Sequence, residues 1–135
     1  MSGKFVHADD IERESLDWGG LGWISRPSST GAGRLTVLDV TLEPGHGHDF
    51  HKHPEQEEVI VVQSGEIEQW LEGERTTLRP GEAVFIGAGT VHASFNTGGE
   101  TARLTVSLGP CVGDGGYELV DVSGEEPWSS LRSGA

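Results

Sequence analysis

The β-prone runs in this chain are short, and turn residues interrupt them about every ten positions, the pattern of an antiparallel sandwich or barrel. Leu35 to Leu42, Glu58 to Gln63, Glu66 to Glu72, Arg75 to Leu78, Ala83 to Ile86, Val91 to Asn96 and Arg103 to Leu108 each read as a strand. Between them lie Glu43-Pro44-Gly45, Ser64-Gly65, Gly73-Glu74, Arg79-Pro80-Gly81-Glu82 and Asn96-Thr97-Gly98-Gly99. Such clusters set backbone angles that turns require. No segment carries a helical period of useful length. The expected fold is all-β.

Within this frame, Gly45 to Gly65 concentrates the chemistry. It holds four of the six histidines and four acidic residues. His51 and His53 are two apart, and residues two apart on a strand share a face. Pro54 ends that strand, because proline cannot donate to a ladder. Glu55, Glu57 and Glu58 follow, then Val59-Ile60-Val61-Val62. Glu58 shares its face with Ile60 and Val62, so it is favoured over Glu57 as the carboxylate that turns back toward the histidines. Further on, His92 follows the run Ala83 to Ile86 and a turn containing Gly87 and Gly89. His51, His53, Glu58 and His92 make a set of nitrogen and oxygen donors suited to one divalent first-row metal, with coordination positions left open. Mn, Fe, Ni, Co, Cu and Zn all accept such donors. His46 and His48 form another H-x-H pair in a Gly-rich stretch, where exposed loop positions are expected.

These residues resemble the two motifs of the cupin superfamily, in its small single-domain (cupin 2) form. The first motif, G-x5-H-x-H-x4-E-x6-G, is met by Gly45, His51, His53, Glu58 and Gly65. The second, G-x5-P-x-G-x2-H-x3-N, is met by Gly81, Gly89, His92 and Asn96, with Gly87 in place of the usual proline. The resemblance implies a single small jelly-roll β-barrel. It also implies that His51, His53, Glu58 and His92 hold a metal. The superfamily hosts many reactions, so it says little about which one occurs here.

The chain of 135 residues fits one domain. It reads as an N-terminal strand and loop segment packing on the barrel (1–34), a barrel core (35–109) and a C-terminal loop, strand and tail (110–135), the last three residues disordered. Trp18 and Trp23, in a Gly-spaced segment, are expected on the outside of a sheet or at a subunit contact. They would suit a homodimer that also covers edge strands. The net charge of −13 argues against nucleic acid or an anionic membrane as partner. No run approaches the roughly 18 apolar residues of a membrane span. The N-terminus lacks an apolar signal core, and the lone Cys111 permits no internal disulfide. A cytoplasmic protein with a small-molecule substrate or ligand is expected.

Open metal positions allow either oxygen chemistry or Lewis-acid chemistry. No spare His or Glu stands at a position the motifs place inside, which tilts the reading toward a dioxygenase-type enzyme on a small organic substrate. The alternatives are an isomerase or lyase on a sugar or keto acid, and a cupin that binds a ligand without turnover. Two weaker site candidates accompany the ligands. Either Gln69 or Trp70 must face inward. Arg103 heads a polar row with Thr105 and Ser107 that could hold a substrate carboxylate, against the alternative that the row faces solvent.

Overall fold

A computed structural model describes residues 3–132 of the chain. The tail Ser133 to Ala135, read above as disordered, lies outside them. The described residues contain eleven strands: β1 Glu12–Leu16, β2 Gly19–Ser25, β3 Thr36–Leu42, β4 Gly47–Lys52, β5 Glu57–Ser64, β6 Ile67–Leu71, β7 Glu74–Leu78, β8 Ala83–Ile86, β9 His92–Phe95, β10 Ala102–Gly109 and β11 Val120–Asp121. Among the described residues helical structure is limited to a 3-10 turn at Ala8–Asp10 and two single turns, α1 Pro27–Thr30 and α2 Trp128–Leu131.

The strands form two antiparallel sheets. One has the order β1-β2-β3-β10-β5-β8, the other β11-β4-β9-β6-β7. Period-2 alternation explains how they meet. On β10, Ala102, Leu104, Val106 and Leu108 are buried, while Arg103, Thr105 and Ser107 face outward. Leu38, Val40 and Leu42 of β3 and Ile60 and Val62 of β5 point the same way as the buried row and complete one wall of the main core. A second apolar cluster lies on the outer face of the smaller sheet. There Phe50, Trp70, Ala93 and Phe95 are covered by Val122 and by Trp128 and Leu131 of the C-terminal turn.

The N-terminal segment differs from the expectation in one respect. Trp18 and Trp23 do not form an outer patch. Trp23 is buried, its indole N–H donating to Glu14 at 2.9 Å and the Arg26 guanidinium lying 4.0 Å over its ring. Trp18 is half-buried and faces the interior cavity. The cause is that Glu12–Leu16 forms an unforeseen strand which pairs with β2, so that β2 is an internal strand with one face on the core.

Candidate metal centre and its cavity

The four sequence-selected ligands come from three elements. His51 lies on β4 and His53 just beyond it, Glu58 is the second residue of β5 one sheet away, and His92 opens β9. All four are at least nine-tenths buried. Donor atoms of His51, His53 and His92 lie within 4.8 Å of one another. Glu58 Oε1 stands 2.9 Å from His92 Nε2 and 3.4 Å from His53 Nε2. Glu57, the rival carboxylate, is exposed on the outer face.

Each imidazole is aimed from behind. His51 Nδ1 bonds the Asp49 carbonyl at 2.7 Å, His53 Nδ1 the Glu118 carbonyl at 2.8 Å, and His92 Nδ1 the Thr90 carbonyl at 3.0 Å. A carbonyl oxygen only accepts, so each Nδ1 carries the hydrogen and each Nε2 of a neutral ring offers its lone pair to the centre. Glu58 Oε1 and His92 Nε2 are buried without a hydrogen-bond partner in spite of their proximity. Buried polar atoms left in this way call for an unseen partner. A cation at the point where the four side chains converge supplies one, so the residues present fit a divalent metal.

Burial holds His51 well below the ordinary imidazole pKa, and the neighbouring His48 and His92 push it the same way. Burial also lowers His53, against the opposing pull of Glu58. At His92 burial acts downward too, but the Glu58 carboxylate outweighs it and the pKa is raised.

The centre opens into a cavity of about 190 Å³ between the sheets. Leu21, Leu38, Val40, Ile60, Leu104 and Val106 make its far wall. Among the described residues no lysine or arginine lines it. Besides the candidate ligands, His48, Ser94 and Tyr117 bring polar groups to it, and Trp18 an indole.

His48 is the largest departure from the sequence reading, which left it in an exposed loop. On β4, His48 pairs with Ser94 and His51 with His92, so three steps on one strand match two on the other. This is a β-bulge, and it reverses the face of every residue beyond it. Asp49 shapes it: its carboxylate accepts the Phe50 N–H at 2.7 Å and its carbonyl the His51 Nδ1–H. His48 therefore faces inward beside His51 and stacks on it, ring centroids 3.7 Å apart, with Trp18 stacked on its other side at 4.8 Å. Burial pushes His48 down to about 4. His46 is exposed, as expected.

Arg103 lies outside the cavity. Period-2 geometry puts it on the outer face of β10, where its guanidinium makes a two-point pair with Asp39 at 2.8 and 3.0 Å. It is thereby excluded as a cavity anchor for a substrate carboxylate. Gln69 is the inward member of its pair, buried on β6, while Trp70 points to the outer cluster. Gln69 does not line the cavity itself but bonds Ser94, which does. Gln56 had no signal in the sequence. It is buried, donates to the carbonyls of Pro110 and Gly116 at 2.8 and 3.0 Å, and accepts the Glu118 N–H at 3.1 Å. That clamp brings the Glu118 carbonyl to His53 and Tyr117 to the cavity.

Residues 38–108 match the cupin domain family, and the chain belongs to it. Among curated proteins it is 30% identical to the polyketide synthase protein CurC of Streptomyces cyaneus, over 82% of this chain and 71% of that one. Among solved structures it resembles KdgF from a Halomonas species, with a TM-score of 0.73 and 19% identity over 84% of this chain and 98% of that chain. It also resembles an oxalate decarboxylase of Lactobacillus farciminis, with a TM-score of 0.74 and 18% identity over 87% of this chain and 35% of that one. The last two likenesses are of fold.

Proposed function

We propose that this cupin is a metal-dependent enzyme acting on a largely apolar organic molecule that carries neighbouring carbonyl or enol oxygens, of the kind met in polyketides. The observation that carries the reading is the cavity's division into two poles: four converging ligands at one end, and an aliphatic wall without a cation at the other. A sugar phosphate or dicarboxylate would bring charge that no lysine or arginine there could meet. The similarity to a polyketide synthase protein points to the same class of molecule.

His51, His53, Glu58 and His92 would hold the metal, which when bound polarises a carbonyl as a Lewis acid. The aliphatic wall aligns the carbon skeleton and keeps water out, which strengthens each polar contact at the ligand pole. His48 supplies what the motifs lacked, a spare imidazole. Its ring nitrogens have no hydrogen-bond partner among the described residues, and it is held only by the stack between Trp18 and His51. A neutral nitrogen of this ring would take the proton from the carbon between two carbonyls. Isomerisation or ring closure is thus favoured over the dioxygenase reading, whose main argument was the lack of such a base. The protein is further proposed to be cytoplasmic and to pair as a homodimer across an edge strand, β1 or β8; a monomer in light scattering would remove the pairing.

The test is proton exchange. Metal-loaded protein mixed with benzoylacetone in deuterated water should speed loss of the central C–H signal in NMR, and His48→Phe should abolish the effect while keeping the metal. Oxygen uptake without exchange would instead restore the dioxygenase reading. Binding of the diketone with neither exchange nor oxygen uptake would leave a cupin that binds a ligand without turnover.

A further inference from the structure

Across β4, β9 and β6 the inward side chains fall into two rungs. One rung is His51, His92 and Leu71, and contains ligands. The other is His48, Ser94 and Gln69, in direct cross-strand register. The second rung contains polar groups that the metal centre does not use. Gln69 is buried and its orientation is fixed. Its Nε2 donates to the Trp70 carbonyl at 3.2 Å, which can only accept, so Oε1 is the atom that faces Ser94. The Ser94 hydroxyl donates to that Oε1 at 2.6 Å. Its hydrogen is therefore committed, and what Ser94 presents to the cavity is oxygen lone pairs alone.

We propose that Ser94, aimed by Gln69, is a specificity-determining acceptor that reads a hydroxyl on the substrate one rung away from the metal-bound oxygens. This rests on the reading of the cavity as a site for a chelating, apolar molecule, and it names a second oxygen function on that molecule. Residues two apart on a strand are separated by about 7 Å, which sets the spacing between the two recognition points. A hydroxyl that donates to Ser94 is accepted, whereas a hydrogen or an ether at that position leaves the lone pairs unmet. An acceptor built this way discriminates by the loss of one hydrogen bond, about threefold to tenfold in affinity. Gln69 is a positioning residue, since it acts through Ser94 and does not reach the cavity.

The experiment uses two probes and the zinc-loaded full chain, with binding read by calorimetry. One probe is an acetophenone with a single ortho hydroxyl, whose carbonyl and hydroxyl form the chelating edge. The other carries an additional para hydroxyl, roughly one rung from that edge. Wild-type protein should bind the para-hydroxylated probe about threefold to tenfold more tightly. Ser94→Ala should bind both equally, at the wild-type affinity for the simpler probe, with unchanged zinc content. Gln69→Met repeats the test should Ser94→Ala fail to fold, and should also reduce the preference. Equal binding of both probes by the wild type, or a preference that survives in Ser94→Ala, overturns the role of Ser94 and leaves the chelating site standing. Failure of the wild type to bind either probe overturns the site reading, and the role of Ser94 with it.

Discussion

Glu58 Oε1 and His92 Nε2 lie 2.9 Å apart, both buried, and neither has a hydrogen bond. They belong to different sheets, so the fold itself brings a carboxylate and an imidazole together in the interior without a hydrogen-bond partner. Isolated, that arrangement is costly. With His51 and His53 closing in, and with three Nδ1–H groups tied to carbonyls, the arrangement fits a preorganised cation site.

Metal should therefore be integral to stability. Protein purified without added metal or a histidine tag should carry close to one transition metal ion per chain by elemental mass spectrometry. Glu58→Gln or His53→Ala should lose it. A ligand in hundredfold excess over its Kd stabilises by about 2.7 kcal/mol, so chelation should lower Tm by several degrees. Equal melting with and without chelator would show that nothing is bound there.

Once metal is removed, acid should destabilise the protein in a defined window. His48, His51 and His53 have pKa values lowered on folding, His48 to about 4. Between the unfolded imidazole value near 6.5 and those folded values, the unfolded chain binds more protons, so stability falls as pH falls. His92, which is raised, works the other way, its contribution being lost as pH rises through its folded value. Three depressed groups outweigh one. Tm of the chelated protein should drop steadily from pH 7 toward pH 4, and less steeply in His48→Phe. A flat profile would contradict the burial of these rings.

The convergence of the four candidate ligands was legible because its geometry is local. Two histidines two apart, a proline stop and a carboxylate of the right parity need only strand periodicity, and the cupin motifs added His92. Asn96 was equally readable as a turn residue, and it does bond the carbonyls of Leu42 and Glu100. His48 was not legible, because one inserted residue at Asp49 reverses parity and a bulge leaves no pattern of its own in a Gly-rich stretch. Gln56 and Tyr117 depend on a loop returning from more than fifty residues away, and no periodicity records that. Trp18 and Trp23 were misplaced because Glu12–Leu16, exposed along its whole length, lacks the alternation by which strands are recognised.

Arg103 supplies a check on the direction of β10. It pairs with Asp39, which the two hydrogen bonds from Arg103 hold below the usual carboxylate range against the opposing effect of burial, with Arg13 adding to the pull. Arg103→Ala should leave metal content and probe binding unchanged. It should cost some stability at neutral pH, by no more than about 1 kcal/mol because the guanidinium is more than half exposed. A depressed carboxylate stabilises above its unfolded pKa and loses that contribution as pH falls through its folded value. The difference between wild type and variant should therefore shrink below about pH 4. Loss of probe binding in Arg103→Ala would mean that the polar row reaches the cavity after all.

Gly47 tests whether the bulge really sets the site. It pairs with Phe95 at the start of β4, and a Cβ there would stand 2.7 Å from the Phe95 Cα, with the Ser94 carbonyl oxygen closer still. The obstruction is backbone, so neither neighbour can yield by rotating a side chain. Gly47→Ala must push β4 away from β9 immediately before His48 and His51. Overpacking of this kind costs about 1–3 kcal/mol, and here it should also spread the rings of His48 and His51 relative to His92. The variant is expected to melt lower and to bind zinc at least tenfold more weakly, while Gly45→Ala, at a turn with open space around it but a left-handed φ of 81°, should lower Tm without changing zinc affinity. If Gly47→Ala keeps wild-type affinity, the register of β4 against β9 does not control the centre, and the inward placement of His48 loses its structural cause.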